Sequence, residues 1–385
     1  MTITETPTSK TTTYTRTTEQ WTALAEALGS EFSATAPSHD RTGLIDKAAF
    51  DRLRAEGITS ALVPTEFGGG GASHADMGAI LRTIARHDPS VAVTLAMHSH
   101  LVAFQVWRHN RGMDAEKVFR KVVDDKAMLV STGASDWVGS SGTVERVDGG
   151  YRVSGRKSPA SGAEVGQIIV TSFRWESPEG PQVIHCSVPK ASEGVSIETT
   201  WDTMGLRATG SHTVVFDNVF VPEAAVSLTR PADVWHPVWN IVLNAAMPLI
   251  MAAYLGIADA AADEAIAMSN GRDDQHVVQL LGEMSNAHTA ASDLVAAMFA
   301  GAENLRFDNV DALTSRTLSR KTVAADAVID TVRLAIEATG GRGYSRGSDL
   351  ERLYRDVHGV LFHPLPRAKQ THFTGRVTLG LSPIG

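Results

Sequence analysis

The sequence predicts an α+β protein: a helical N-terminal part, a middle β unit and a C-terminal helical bundle, in that order. Three observations carry this. Apolar residues recur at three- and four-residue spacing from about Trp21 to Asp125, short β-prone runs follow from about Met128 to Ala232, and Ala-rich helical patterning resumes after Pro237. We accordingly place a leader over 1-18, an N-terminal helical domain over 19-126, a β domain over 127-232 and a helical bundle over 233-385.

Residues 1-18 are Thr-rich and polar, lack the apolar run of a secretory signal, and are expected to form a disordered leader. In the N-terminal domain, "AAFDRLRAEGI" and "DMGAILRTIARHD" place apolar side chains on one face of a helix. "VPTEFGGGG" interrupts the pattern. No Lys-Ser or Lys-Thr pair follows its glycines to complete a phosphate-binding loop, so a plain flexible turn is expected.

In the β unit, "GTVERVDGGYRVSG" reads as a hairpin turning at Asp148-Gly149-Gly150, and "QIIVTSF", "QVIHCSVP" and "HTVVFDNVFVP" read as further strands. The uncharged stretch from Val234 to Ala258 is interrupted by Asn240, Asn244 and Pro248 and continues into "DAAADEA", which fits a buried bundle helix better than a membrane span. Near the C-terminus, Ser348 and Glu351 form a Ser-x-x-Glu capping box expected to open a helix at Asp349.

Composition narrows the function. With 35 Lys and Arg against 43 Asp and Glu, the net charge is −8 and no basic run stands out, which argues against a nucleic-acid partner. Cys186 is the only cysteine, so neither an intrachain disulfide nor a Cys-based zinc site can form, and a cytoplasmic location is expected.

Five stretches in order resemble the acyl-CoA dehydrogenase superfamily across nearly the whole chain after the leader. They are "LVPTEFGGGG", "GGYRVSGRKSPASGAE", "WDTMGLRATGSHTVVFDNVFVP", "MAAYLGIADAAADEAI" and "EATGGRGYSRGSDLERLYRDV". The resemblance implies the acyl-CoA dehydrogenase fold, with a β-barrel-like middle domain and a C-terminal four-helix bundle. It also implies a flavin, FAD or FMN, and a homotetramer or homodimer in which the Gly340, Gly341 and Gly343 loop reaches a neighbour's flavin. By the bare residues alone, those glycines would serve a tight turn equally well.

The resemblance also sharpens what is missing. Family dehydrogenases remove an α-proton with a glutamate, most often eight residues beyond the Asp that closes the "ERLYRD"-like motif. Here that position is Pro364, and from Val357 to Gly385 there is no Asp or Glu. A minority place the base at the start of the first long C-terminal helix, where this chain has Ala246 and no acid between Asp233 and Asp259. The loop around "SNGRDDQH" is shorter than in the dehydrogenases and offers only Arg272 to a neighbouring flavin, which implies weaker flavin retention.

Other local patterns resemble the two-component flavin monooxygenases of the same fold, such as dibenzothiophene monooxygenase and the phenol and indole hydroxylases. Those patterns are Ser161-Gly162, the Thr-Gly-Ser turn in "RATGSH", and His363, seven residues after Asp356. On this resemblance His363, Ser161 and His100 are expected at the reacting atoms. Ser131, Thr132, Ser161, Gly162, Gly340, Gly341, Gly343 and Arg272 are expected on the flavin, and His98, Trp137 and Trp235 along the substrate pocket. A histidine titrating near neutrality would serve as acid or base, and a hydroxyl such as Ser161 could donate to or accept from the flavin N5. His98-x-His100 has no third and fourth ligand, so no metal is expected. Either histidine, and either tryptophan, could instead simply fill the core.

The expected function is a monooxygenase that uses reduced FAD or FMN, supplied by a separate NAD(P)H flavin reductase, on an aromatic, indole-like or polyketide-like small molecule. The alternatives are a dehydrogenase of acyl-CoA or an acyl carrier with an unrecognised base, an amino-sugar N-oxygenase, and an inactive flavin-binding relative.

Overall fold

A computed structural model describes residues 16–134 and 136–385. The expected leader falls outside these residues up to Thr15, and the first helix, α1 (Thr18–Ser33), opens on a capping box between Thr17 and Gln20. The N-terminal part continues with α2 (Ala36–Thr42), α3 (Lys47–Ala55), α4 (His74–His87), α5 (Pro89–Asn110) and α6 (Glu116–Val123).

The "VPTEFGGGG" break is more constrained than a flexible turn. A Cβ on Gly69 would lie 2.1 Å from the Val63 carbonyl oxygen, and one on Gly70 would lie 2.8 Å from the Trp21 ring. Glycine is needed here because backbone packs on backbone and on a buried indole.

The middle unit has eight strands: β1 (Leu129–Ser131), β2 (Thr143–Val147), β3 (Gly150–Lys157), β4 (Ile168–Ser177), β5 (Gly180–Pro189), β6 (Val195–Glu198), β7 (Thr213–Pro222) and β8 (Val226–Pro231). They form two four-stranded sheets, β1-β4-β5-β8 and β2-β3-β7-β6. Among the described residues only the β1–β4 pairing is parallel, and the predicted β2–β3 hairpin closes with Val147 opposite Gly150. The two sheets share a small core of their own around Phe173 and Phe216, whose rings meet edge-on at 5.1 Å. The barrel-like unit is thus two facing sheets with open seams.

The C-terminal part is built on α7 (Val238–Met268), α8 (Gln275–Ala302) and α9 (Asp311–Thr339). Short helices α10 (Gly341–Tyr344), α11 (Asp349–Val357) and α12 (Arg367–Thr378) follow. All three pack on α9, and α11 packs on α7 as well. The capping box at Ser348 forms only in part: its hydroxyl accepts from the Leu350 N–H, but Glu351 turns to Arg355 instead. Helix α7 is long and apolar enough to cross a membrane, yet 94% of its apolar window is buried inside the protein, as expected of a central core helix.

One large hydrophobic core runs through both helical parts, with α4 and α5 packed on α7. The close approach of α4 and α7 needs Gly256, where a Cβ would lie 2.1 Å from the Arg82 carbonyl oxygen. Alongside it, buried Asp259 binds Arg82 through two hydrogen bonds of 2.6 and 2.8 Å and His288 at 2.6 Å, tying α4, α7 and α8 together. Where the helical core meets the β unit, the walls do not close. A cavity of about 2390 Å³ remains.

Candidate active site

Strand ends and loops of the β unit, the inner faces of α5 and α7, and the segment after α11 wall this cavity. Pockets for drug-sized ligands run to ~300–1,000 Å³, so a planar cofactor and a second ring fit together. His363, Ser161 and His100, predicted from distant parts of the chain, all line it. Ser131, Thr132, Trp137 and Trp235 line it as well.

His363 lies just past α11, one residue before the Pro364 that replaces the dehydrogenase base. Its Nε2 meets the hydroxyl of Tyr254 at 2.8 Å, and the Lys321 ammonium donates to its carbonyl oxygen at 3.1 Å. Burial, aided by the Lys321 charge and then by His100, lowers its pKa to about 3. The expectation of a histidine titrating near neutrality is therefore corrected: this imidazole is neutral at physiological pH.

Ser161 closes a chain of hydroxyls. Its Oγ lies 2.8 Å from Ser211 Oγ, Ser211 Oγ lies 2.7 Å from Thr209 Oγ1, and Thr209 Oγ1 donates to the Leu206 carbonyl oxygen at 3.0 Å. Each hydroxyl has one proton. Because the Leu206 carbonyl can only accept, Thr209 spends its proton there, Ser211 donates to Thr209, and Ser161 donates to Ser211. Ser161 consequently presents a lone pair to the cavity. The other backbone group of the same residue is also held: the Leu206 N–H donates to Asp356 at 2.5 Å. Burial raises the Asp356 pKa to about 7 despite nearby Arg352.

His100 is 7% exposed, its Nδ1 has no partner among the described residues, and burial, followed by the nearby His98 ring, lowers its pKa to about 3. His98 is not a pocket residue, which corrects that expectation. It is fully buried, with Nε2 at 2.8 Å from the Thr59 carbonyl oxygen and Nδ1 accepting from the Leu129 N–H at 2.9 Å. Both ring nitrogens are used as a strut between α5, the loop after α3 and β1, which faces the ring away from the cavity. Gly162 does not line the cavity either: it is a turn residue at φ +73°, where a Cβ would lie 2.9 Å from Thr94. Gly340, Gly341, Gly343 and Arg272 lie at the far end of the bundle, outside this cavity. Among the described residues no cluster of three or more His, Cys, Asp or Glu is placed to hold a metal.

Some of the site was not foreseen. Tyr254 sits in an apolar helix stretch that carries no functional signal, although "RATGSH" did mark Thr209 and Ser211. Beneath Trp137, fully buried Arg230 donates to the Trp137 and Val138 carbonyl oxygens and to His185 Nε2, and lies 5.3 Å from the Trp239 ring. Its one visible signal was a basic residue at the end of a strand.

The residues present fit a flavin. Trp137 and Trp239 pack on each other as a tilted aromatic pair, ring centroids 4.5 Å apart, and the Trp235 and Trp239 indole nitrogens are buried donors with no protein partner among the described residues. Together with the Ser161 lone pair, they suit a ring system edged by carbonyl oxygens and an N–H.

Comparison with known proteins agrees with the architecture. Family models described as the acyl-CoA dehydrogenase N-terminal, middle and C-terminal domains match residues 17–124, 131–219 and 249–366. YdbM of Bacillus subtilis (strain 168), provisionally named an acyl-CoA dehydrogenase, is 29% identical over 90% of this chain and 93% of its own. Dibenzothiophene monooxygenase of Rhodococcus qingshengii is 26% identical over 94% of each chain. The crystal structure of KijD3 with FMN and dTDP-3-amino-2,3,6-trideoxy-4-keto-3-methyl-D-glucose superposes with a TM-score of 0.86 at 26% identity, covering 94% of each chain.

Proposed function

The chain belongs to the acyl-CoA dehydrogenase family, and from that premise we propose that it is a flavin-dependent monooxygenase of that fold rather than a dehydrogenase. The observation that carries the reading is the state of the carboxylates. Among the described residues only Asp114 and Asp136 line the cavity. Asp136 is bonded to the Lys157 ammonium, and Asp114 accepts from the Glu116 N–H at 3.0 Å, at the start of α6. Buried Asp356 lies behind the wall, holding the Leu206 N–H. Among the described residues no buried, unpaired Asp or Glu side chain lines the cavity, where desaturation would need one to take an α-proton.

A reduced flavin, when bound, supplies the electrons that activate O₂. The chain's own groups supply the setting. Ser161 accepts a hydrogen bond from the ligand, and an N–H at N5 is what distinguishes a reduced isoalloxazine from an oxidised one. His363 and His100 are neutral polar groups on the cavity wall, and Trp137, Trp235 and Trp239 keep water from the reacting atoms. The substrate class we favour is an aromatic, indole-like or polyketide-like small molecule, with reduced FMN or FAD delivered by a separate NAD(P)H-dependent reductase. We further place the enzyme in the cytoplasm as a homotetramer or homodimer, with the Gly340–Gly343 loop and Arg272 turned to a neighbour's flavin.

The test is turnover with NADH, a flavin reductase, FMN and an aromatic panel. Oxygenated product is expected. Its absence, together with anaerobic oxidation of an acyl-CoA, would defeat the reading. A second reading, N-oxygenation of an amino sugar, is favoured by the likeness to KijD3 with its amino-sugar nucleotide. Hydroxylamine or nitroso products would mark it.

A further inference from the structure

Tyr254 lies within α7, fully buried, and its hydroxyl has one hydrogen-bond partner among the described residues, His363 Nε2 at 2.8 Å. A phenol and a neutral imidazole can share that bond in two ways. If Nε2 carried the hydrogen, the phenol proton would be left in the core without an acceptor. If the phenol donates, no buried donor is orphaned, and the imidazole hydrogen sits on Nδ1. Burial followed by Asp356 raises the Tyr254 pKa, and burial lowers that of His363, so this arrangement persists across neutral pH. The surroundings are fixed as well. The rings meet edge-on at 5.4 Å, and Lys321 holds the His363 carbonyl at 3.1 Å. Gly359 packs so closely that a Cβ there would lie 2.7 Å from the Tyr254 oxygen.

We propose that Tyr254 is a positioning residue: it holds His363 as the Nδ1–H tautomer, so that His363 meets the cavity's occupant as a neutral hydrogen-bond donor and not as a base. The step it serves rests on the monooxygenase reading above. With Nε2 engaged by the phenol, no lone pair of this ring is left to take a proton from a substrate O–H or N–H. What His363 offers is one directed N–H, suited to an accepting oxygen in the reacting complex.

The test has a spectroscopic arm and a catalytic arm, both on the full chain loaded with FMN. In ¹⁵N-histidine-labelled protein, assigned by subtraction with His363→Gln, His363 should show a pyrrole-type Nδ1 and a pyridine-type Nε2, unchanged between about pH 6 and pH 8. In Tyr254→Phe, which loses one oxygen atom, the two signals should move toward each other as the tautomers mix. The ratio of oxygenated product to H₂O₂ should fall about tenfold, a typical effect of one misdirected hydrogen bond. His363→Gln keeps an N–H donor and should stay within about tenfold of the parent, whereas His363→Ala should lose about a hundredfold or more.

An Nε2–H or protonated ring in the parent protein would overturn the proposal. So would an unchanged product-to-peroxide ratio in Tyr254→Phe, or a His363→Gln variant as defective as His363→Ala. Should the parent show the Nδ1–H signature yet oxygenate nothing, the functional reading fails while the tautomer assignment stands.

Discussion

At the scale of single residues, the site is defined by which proton each group can spend. Ser161 donates its O–H to Ser211, because that hydroxyl chain ends on the Leu206 carbonyl. Replacing Ser161 with Ala should therefore weaken reduced FMN by about tenfold in an anaerobic titration, the worth of one buried hydrogen bond, and weaken oxidised FMN less. Equal losses for both redox forms would show that Ser161 does not discriminate by polarity. Ser161, His100 and His363 were legible because their positions match motifs in the chain. Tyr254 was not, because a tyrosine inside "LIMAAYLGI" looks like any core aromatic, and its partner is 109 residues away. His98 was misplaced for the same physical reason. A histidine's function depends on what its two nitrogens meet, and the Thr59 carbonyl and the Leu129 N–H come from other elements.

At the scale of elements, His98 is the joint between α5 and β1, so removing it should cost stability more than chemistry. His98→Ala leaves the Thr59 carbonyl and the Leu129 N–H unpartnered and opens a void, a loss of about 3–5 kcal/mol by urea unfolding. The contact of α4 with α7 makes a matching prediction. Gly256→Ala would set a methyl group against the Arg82 carbonyl, and should destabilise by about 1–3 kcal/mol, seen as a lower thermal midpoint. The order of helices and strands was legible because apolar period and hairpin turns are local signals. The glycines in "VPTEFGGGG" were mistaken for freedom, since the indole of Trp21 and the backbone of Val63 that press on them are far off or invisible in a local reading.

At the scale of the whole molecule, the two helical parts share one core while the β unit keeps its own, and the functional cavity is the seam between them. No periodicity predicts a seam, and so the cavity's walls could be anticipated only through the family resemblance. The shared core also buries titratable groups. His74, His98 and His100 are buried, which lowers their pKa values to about 4, 4 and 3. Below the unfolded value of about 6.5 the unfolded chain binds protons that the folded chain refuses, so stability is present above pH ~6.5 and is lost as pH falls toward 4. Asp356, raised to about 7, and Asp88, also raised by burial, work in the opposite direction over part of that range, but His185 and His363, lowered to about 3, add to the three histidines of the core. The urea midpoint should therefore fall between pH 7 and pH 5, with net proton uptake on unfolding. A flat profile would mean that these rings are not held neutral.

A monooxygenase inserts oxygen where a dehydrogenase removes hydrogen, and isotope labelling separates the two outcomes. The full chain would be given reduced FMN from a separate NADH-dependent reductase under ¹⁸O₂, with indole and phenolic substrates. One ¹⁸O atom per product molecule is the predicted result. Absence of label from every product, with anaerobic bleaching of bound oxidised flavin by an acyl-CoA, would contradict it.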